Sequence, residues 1–396
     1  MAPSPVTLPA SRPGANPLPM TRQTEANGDP DLVVQIRKKL AGGFTLEAGF
    51  QAQAGVTILF GPSGSGKTTL LHCIAGLHRP DAGRVALGRR VLFDSGRGIN
   101  VPVPRRSVGY LFQDLALFPH LTVEQNVRYG LARVPARARG ARVDGILESL
   151  RIAHLRDRKP GAISGGERQR AALARSLVTD PAVLLLDEPL SALDGATKSK
   201  IIEDLRAWNA ARGIPILYVT HSPAEAFALG ERVIVLDSGA ILAQGTPQQV
   251  LREPRHETVA QLAGFENIFD ATVAAVSEDQ GTMRCRLKGS EVELEVPLIW
   301  TEVGSPVRVA IRAGDIMLAA TRPEGLSARN TFQGKLNSLS RQGVTVIATV
   351  EAGVKFEVHV TPGACQTLGL RAGRPVWLVI KTYSCHLVEP APAGSD

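Results

Sequence analysis

The sequence predicts an α/β domain with a parallel sheet, followed by a smaller all-β domain, and three observations lead to this prediction. Continuous apolar runs at residues 56–60 and 183–187 are typical of strands buried on both faces of a parallel sheet. Helical stretches alternate with such runs, as parallel strands require. After about Pro254 the pattern changes to short alternating segments such as "ATVAAV" and "EVELEVP", which indicate antiparallel strands.

The elements of the first domain follow in order from about Asp31. The segments "DLVVQIRKKL" and "GFTLEAGFQA" indicate two strands around a Gly-Gly turn. The run "VTILF" predicts a buried strand, and a glycine-rich loop and an apolar helix, "TTLLHCIAGL", come directly after it. The runs "VLLLD", "ILYVTH" and "RVIVLDSG" predict three more buried strands. Between them, residues of about 80–175 are richer in Arg, Pro and short helices, and we expect a helical subdomain there.

The composition limits the class of protein and its compartment. The 396 residues are enough for two or three domains. The net charge of +8 is modest and includes no dense Lys/Arg block, so a nucleic-acid partner is not expected. No run of about 18 apolar residues predicts a membrane-spanning helix. The four cysteines match no metal or redox spacing, which favours reduced thiols in the cytosol.

The sequence predicts that the chain is divided into three segments. Residues 1–30 are rich in Pro, Ala and Ser, and we expect a disordered tail because they offer too little apolar surface to offset ordering. Residues 31–258 form the α/β domain, and residues 259–390 form the β domain. An internal repeat relates "NIFDATVAAV", from Asn267, to "NTFQGKLNSL", from Asn330. Two small β units in tandem, the second at 326–390, are the simplest account of this repeat.

The glycine-rich loop fits the pattern G-x-x-x-x-G-K-[ST] of a phosphate-binding loop. Its glycines allow backbone N–H groups to curl around phosphate oxygens, and the next helix directs its positive dipole end at them. Lys67 is expected to reach the β- and γ-phosphates, and Thr68 to hold Mg²⁺. A chance glycine-rich turn is the alternative. The residues expected to bind nucleotide here are Gly61, Pro62, Ser63, Gly64, Ser65, Gly66, Lys67, Thr68 and Thr69.

Two further stretches carry candidate chemistry. In "LLLDEP", Asp187 ends an apolar strand and can bind the Mg²⁺ shell, while Glu188 can act as general base toward the attacking water. A solvated acidic turn is the alternative. In "AISGGERQRAALARSL", Ser164 at a helix start with Gly165 and Gly166 is a candidate second anion site. A plain helix cap is the alternative for that stretch.

The motifs "GPSGSGKTT", "GYLFQD", "ISGGERQR", "LLLDEP", "LSALD" and "VTH" stand in an order that resembles the ATP-binding subunit of ABC transporters, over residues 31–254. The resemblance implies a P-loop NTPase fold with a helical subdomain, ATP and Mg²⁺ as cofactors, and ATP hydrolysis coupled to transport. Glu167 stands where much of the family has Gln. Phe44 is the candidate for stacking on adenine, with an ordinary core Phe as the alternative.

The same resemblance implies roles for single residues. Gln113 would sense the γ-phosphate and join the Mg²⁺ shell. Ser164 and Gly166 would bind the γ-phosphate held by the opposite subunit, and Asp194 would lie across the dimer seam. His221 would hold the γ-phosphate and orient Glu188.

The stretch "GYLFQDLALFPHLTVEQNVRYGL" resembles the importer branch of the family. Leu117, Phe118 and Leu121 are candidates for the groove that receives the permease, and an ordinary core is the alternative. The resemblance implies a homodimer that is peripheral to the cytoplasmic face of the inner membrane. Its partners would be integral-membrane permease subunits, which a periplasmic substrate-binding protein supplies with cargo.

The tail from Leu326 to Val388 resembles the molybdate-binding, OB-like TOBE domain that ends molybdate-importer ATPases. Ser327, Ala328, Arg329 and Lys381 are candidates to surround a tetrahedral oxyanion. Alternatively, the stretch "SARN" caps a β turn and the domain is a regulatory spacer. The sequence thus favours molybdate as cargo. The alternatives are tungstate, sulfate, ferric iron or a sugar, a soluble ABC ATPase outside transport, and an oxyanion store.

Overall fold

The computed structural model describes residues 31–131, 134–191, 193–299 and 301–389. The expected tail at 1–30 and residue 390 of the second β unit lie outside these ranges. Within them, eleven strands form one mixed sheet in the order β6-β5-β4-β1-β2-β11-β10-β3-β9-β8-β7. These strands are β1 (Leu32–Lys39), β2 (Thr45–Ala52), β3 (Gly55–Phe60), β4 (Ala82–Leu87), β5 (Arg90–Asp94), β6 (Ile99–Asn100), β7 (Val108–Leu111), β8 (Val183–Asp187), β9 (Pro215–Val219), β10 (Arg232–Asp237) and β11 (Ala240–Gly245).

The helices cover both faces of this sheet. They are α1 (Lys67–Ala75), α2 (Val123–Tyr129), α3 (Ala136–Ser149), α4 (Gly165–Leu177), α5 (Gly195–Arg212), α6 (Pro223–Leu229), α7 (Glu257–Leu262) and α8 (Pro362–Leu368), the last in the C-terminal domain. Helix α1 packs its apolar residues against one face of the sheet. Helices α2 to α6 bury theirs in a second core on the opposite face. Among the helices of the described ranges, none combines the length and apolarity needed to cross a bilayer.

The strands β10, β3, β9, β8 and β7 run parallel to one another and form the centre of the sheet. Every residue of β8 and β9 is buried, as the continuous apolar runs predict. Because parallel strands end at the same edge, the loops after β3, β7, β8 and β9 lie side by side. The phosphate loop, Gln113, the pair Asp187 and Glu188, and His221 therefore lie at one edge of the sheet.

The structure differs from the expected helical subdomain at its N-terminal boundary. Residues 82–111 contain the strands β4 to β7 of the main sheet and one short 3-10 helix, Val103–Arg105, and the α-helices of this part begin at Val123. Strand β4 pairs antiparallel with β1, and β5 pairs with β4. The exposed positions of this outer part carry arginines, so their composition resembles that of loops and short helices. The helical part of the domain is thus the shorter stretch from α2 to α4.

The C-terminal domain contains two antiparallel sheets, with orders β14-β13-β12-β15-β21 and β16-β20-β17-β18-β19. The two halves have the same strand order, as the repeat predicts, but each gives its last strand to the other: β21 pairs with β15, and β16 with β20. The two halves of the domain are therefore interlocked through these exchanged strands. The strands are β12 (Asn267–Ser277), β13 (Thr282–Leu287), β14 (Glu293–Pro297), β15 (Pro306–Ile311), β16 (Met317–Ala319), β17 (Asn330–Gln342), β18 (Thr345–Glu351), β19 (Lys355–Val360), β20 (Pro375–Ile380) and β21 (His386–Val388).

Candidate nucleotide-binding site

The phosphate loop connects β3 to α1, and its backbone depends on glycine. Gly61, Gly64 and Gly66 have φ angles of 150°, 80° and 102°, which other residues rarely adopt. A Cβ at Gly61 would lie 2.1 Å from the carbonyl oxygen of Leu236. Gly66 begins α1 without a side-chain cap, so the first N–H groups of the helix face the loop. The loop can therefore present backbone N–H groups to an anion.

Lys67 points into the concave side of this loop. Its Nζ donates hydrogen bonds to the carbonyl oxygens of Gly61, at 2.9 Å, and Pro62, at 2.7 Å. Burial lowers the pKa of Lys67, and the carboxylates of Glu188 and Asp187 act in the opposite direction. The ammonium group thus lies between the loop and the acidic end of β8.

Asp187 ends β8 and is only 4% exposed. Thr68 donates a hydrogen bond to it, and Tyr110 Oη lies 3.5 Å from Asp187 Oδ2. Burial raises the pKa of Asp187, whereas the hydrogen bond from Thr68 lowers it. The structure therefore brings together a hydroxyl and a carboxylate, which are the hard oxygen donors that Mg²⁺ prefers, and these residues fit that ion.

Glu188 follows directly and has a backbone conformation that is unusual for its residue type. Its φ angle is 45°, and its N–H donates to the carbonyl oxygen of Val219 at 3.2 Å. This geometry places Glu188 Oε1 3.7 Å from His221 Nδ1, in the loop after β9. The predicted general base and the predicted histidine are therefore neighbours at the rim of the site.

Gln113 lies exposed in the loop after β7, and α4 holds that loop in place. Leu115 and Ala116, the second and third residues after Gln113, have positive φ angles of 61° and 45°. Arg175 of α4 donates hydrogen bonds to both of their carbonyl oxygens, at 2.8 and 2.6 Å. The loop that carries Gln113 is thus tied to the helix that begins at Ser164.

Ser164 caps α4 and is exposed. Its Oγ accepts a hydrogen bond from the N–H of Glu167 and donates one to Glu167 Oε2 at 2.8 Å. The N–H of Ser164 also donates to Glu167 Oε2, at 2.7 Å, and this hydrogen bond together with the one from Ser164 Oγ lowers the pKa of Glu167. The residue that differs from much of the family therefore completes a capping box, which stabilises the helix start.

Gly165 and Gly166 bring the start of α4 close to the start of α5. A Cβ at Gly166 would lie 2.6 Å from Cγ2 of Thr197, the third residue of α5. Thr197 donates through Oγ1 to Asp194 Oδ2 at 2.7 Å, and Asp194 caps α5. Ser164 and Asp194 are both exposed, and their side-chain hydrogen bonds join each of them to its own helix.

Phe44 lies beside the phosphate loop, half-buried. The nearest ring carbons are 3.4 Å from the position that a Cβ of Gly66 would take. One part of the ring packs against the core of α1 and the sheet. The remaining exposed part is available to a flat ligand next to the loop.

The oxyanion candidates flank two paired strands, β17 and β20, of the second β sheet. Asn330 pairs with Ile380, so Ser327, Ala328 and Arg329, which precede β17, end at the same edge as Lys381, which follows β20. Ser327, Arg329 and Lys381 are exposed. Arg329 also lines a cavity of about 510 Å³ whose wall includes Glu291 and Glu293.

Sequence reasoning did not single out Tyr110, Arg175 or Glu225, although each contacts a functional segment. Tyr110 meets Asp187, and Arg175 holds the loop of Gln113. Glu225 lies buried beside the loop of His221. The one signal that could have pointed to them is a polar residue at a helix or strand position that the pattern assigns to the core.

Comparisons with known proteins identify relatives of both parts of the chain. Residues 48–191 match the family model described as ABC transporter, and residues 326–387 match the TOBE domain. The molybdenum import ATP-binding protein ModC of Rhizobium etli is 40% identical over 355 residues, which cover 89% of this chain and 99% of that protein. The ModC of Rhizobium meliloti is 41% identical over 362 residues, with the same coverage. The solved structure of cbiO1 from Clostridium perfringens, part of the ABC transporter complex cbiONQ, is 29% identical, with a TM-score of 0.50 over 60% of this chain and 96% of that one.

The sheet edge and its matched motifs define this chain as an ABC-type ATPase, the ATP-hydrolysing subunit of a transporter. Its similarity extends beyond the ATPase domain, through the C-terminal sheets, to nearly the full length of the curated relatives. The chain belongs to the family of molybdenum import ATP-binding proteins. The fold class and the ATPase activity predicted from the six motifs are therefore confirmed.

Proposed function

We propose that this chain drives the uptake of molybdate, as a homodimer bound to two permease subunits at the cytoplasmic face of the inner membrane. A periplasmic binding protein would deliver the cargo to the permease. The observation that carries the proposal is the presence, in one chain, of a hydrolytic sheet edge and a TOBE tail that both align with the molybdenum relatives.

The phosphate loop and the end of β8 bind the nucleotide. Backbone N–H groups of the loop and Lys67 hold the phosphates, since the lysine already lies among the loop carbonyls. Thr68, Asp187 and Gln113 are the residues that would hold Mg²⁺. When bound, that ion neutralises charge on the β- and γ-phosphates. Phe44 stacks on the adenine at the open side of the loop.

Glu188 acts as the general base. It accepts a proton from water as the water oxygen attacks the γ-phosphorus and the bond to the bridging oxygen of ADP breaks. His221 lies close enough to Glu188 to orient the carboxylate and to reach the γ-phosphate. Positioning and charge complementarity supply the catalysis, because the transferred group needs no covalent intermediate.

A second copy of the chain completes the site. The start of α4 is a helix N-terminus with little side-chain cover, formed by Ser164, Gly165 and Gly166. Asp194 lies on the same side, because it binds Thr197, which lies against Gly166. Two copies arranged head to tail would each place this surface over the γ-phosphate of the other. ATP then joins the subunits, and loss of the γ-phosphate separates them.

The permease docks beside α2. Leu117, Phe118 and Leu121 are partly exposed, and the Phe118 ring packs at a tilt against that of the exposed Tyr129, with a centroid distance of 4.7 Å. Asn126, fully buried, fixes this segment through hydrogen bonds to Phe118 and Leu121. Because Arg175 links the adjacent Gln113 loop to α4, movement of α4 would reach the docked permease.

The C-terminal domain binds the oxyanion as a regulatory ligand. Ser327, the backbone of Ala328, Arg329 and Lys381 lie at one edge of the sheet and can supply hydroxyl, N–H and cationic groups to its four oxygens. Tungstate has the same shape and charge, so it is the nearest competing ligand. Sulfate is smaller.

The proposal is tested by uptake of radiolabelled molybdate in cells that lack this protein and are complemented with the chain or with Glu188→Gln. We expect uptake with the wild-type chain only, and competition by tungstate but not by sulfate. Equilibrium dialysis of the full-length protein, with Lys381→Ala as the variant, tests the C-terminal site separately. Uptake that sulfate, ferric iron or a sugar suppresses as well as molybdate does would contradict the proposed cargo.

A further inference from the structure

Glu225 is a buried carboxylate that none of the motifs includes. It lies in the first turn of α6, four residues after His221, and its side chain is 8% exposed. A buried carboxylate is costly unless hydrogen bonds and an opposite charge satisfy it, so its partners indicate what it holds together.

One oxygen of Glu225 holds the loop of His221. Oε2 accepts hydrogen bonds from Thr220 Oγ1, at 2.8 Å, and from Tyr218 Oη, at 3.0 Å. Thr220 Oγ1 in turn accepts from the N–H of Ser222 at 3.0 Å. The residues on both sides of His221 are therefore bound, directly or through one hydroxyl, to this carboxylate.

The other oxygen reaches a different functional segment. Oε1 accepts a hydrogen bond from Lys198 Nζ at 3.0 Å, and the pair is a salt bridge with little exposure. Lys198 lies on the first turn of α5, whose cap is Asp194, and its N–H donates to the Asp194 carbonyl oxygen at 2.9 Å. Glu225 thus joins the start of α5 to the loop of His221.

We propose that Glu225 is a positioning residue that couples the subunit-facing start of α5 to His221, and through it to Glu188. This proposal rests on the roles proposed for His221 in catalysis and for Asp194 at the subunit contact. A displacement of Asp194 at the subunit contact moves Lys198, and the shared carboxylate transmits that displacement to the histidine. Hydrolysis then depends on a correctly formed dimer contact as well as on bound ATP.

The first test is a double-mutant cycle in ATP hydrolysis by the full-length protein. Glu225→Gln keeps the shape but removes the charge that attracts Lys198, and we expect kcat to fall about tenfold or more with the KM for ATP nearly unchanged. In a His221→Ala background the same change should have almost no further effect, because Glu225 acts through His221. Glu203→Gln, an exposed carboxylate on α5, is the matched control.

The second test does not depend on catalysis. Amide hydrogen exchange should become faster in Glu225→Gln at two separate peptides, one around His221 and one at the start of α5, and remain unchanged in Glu203→Gln. Unchanged exchange at both peptides would overturn the proposed link. A loss of kcat that is equally large with and without His221, or a parallel rise in KM, would also overturn it. If His221→Ala alone retained full turnover, the catalytic role proposed for His221 would fail, and exchange would still decide whether Glu225 links the two segments.

Discussion

At the scale of single residues, the site depends on close approaches that tolerate little change. Gly166 leaves room for the methyl group of Thr197, and Thr197 must keep its orientation to bind Asp194. A side chain on Gly166 would therefore disturb two parts of the surface that a second subunit is proposed to contact.

We predict that Gly166→Ala lowers ATP turnover at least tenfold while ATP binding by the monomer is retained, because the new Cβ displaces Thr197. Adding Thr197→Ser should restore much of the activity, since serine lacks Cγ2 but keeps the hydroxyl that binds Asp194. Steady-state ATPase assays and binding of a fluorescent ATP analogue measure the two effects. A double variant no better than Gly166→Ala would argue against this steric account.

At the scale of elements, two equivalent asparagines connect the exchanged sheets. Asn330, at the start of β17, accepts from the N–H of Glu295 at 2.6 Å and donates to its carbonyl oxygen at 2.9 Å. Asn267, at the start of β12, makes the same pair of hydrogen bonds with Glu357, at 2.7 and 2.8 Å. Each sheet is thus fastened to the outer strand of the other by one buried amide.

We predict that Asn330→Ala destabilises the protein by about 3 kcal/mol, because a buried N–H and a buried carbonyl lose their partners at once. Asn267→Ala should cost about as much, since its contacts are equivalent. Asn337→Ala, an exposed position on the same strand β17, should cost under about 0.5 kcal/mol. Urea unfolding followed by circular dichroism gives these values. Equal stability of Asn330→Ala and Asn337→Ala would be inconsistent with the role given to the amide.

At the scale of the whole molecule, the last strand joins the C-terminal domain to the ATPase domain. Glu389 accepts from the N–H of Glu257, at 2.9 Å, and donates to the carbonyl oxygen of Arg255, at 2.7 Å. On β21, His386 packs edge-on against Phe265 at a centroid distance of 5.0 Å. Burial lowers the pKa of His386, and the nearby Arg312 acts in the same direction.

This histidine makes the stability of the junction dependent on pH. The unfolded chain protonates His386 near its ordinary pKa of about 6.5, whereas the folded chain resists protonation until lower pH. Below about pH 6.5 the unfolded state therefore binds more protons, and stability falls as pH decreases. We predict that His386→Phe reduces this slope between about pH 6.5 and 5, in urea unfolding at several pH values. His120 is exposed, so the control variant His120→Gln should leave the slope of stability with pH unchanged. The same slope in both variants would contradict the prediction.

A contact could be predicted from the sequence only where the residues that make it lie close together in the chain. The phosphate loop and the "LLLDEP" stretch could be predicted because each motif is local and a buried strand leads into it. Arg175 could not, because it bonds to a carbonyl 60 residues away, and Glu225 could not, because Lys198 is 27 residues away. The exchange of β16 and β21 between the two sheets could not be predicted either. The two strands are equivalent in the repeat, so the pattern does not say which sheet each one joins.

Two copies of this chain are proposed to enclose ATP between the phosphate loop of one copy and the start of α4, Ser164 to Gly166, of the other. Sedimentation of the Glu188→Gln variant tests this arrangement most directly, because this variant should bind ATP and hydrolyse it at least a hundredfold more slowly. We predict a monomer without nucleotide, a dimer with ATP, and a monomer again with ADP. A Glu188→Gln chain that binds ATP and stays monomeric at every protein concentration would show that two copies do not enclose the nucleotide in this way.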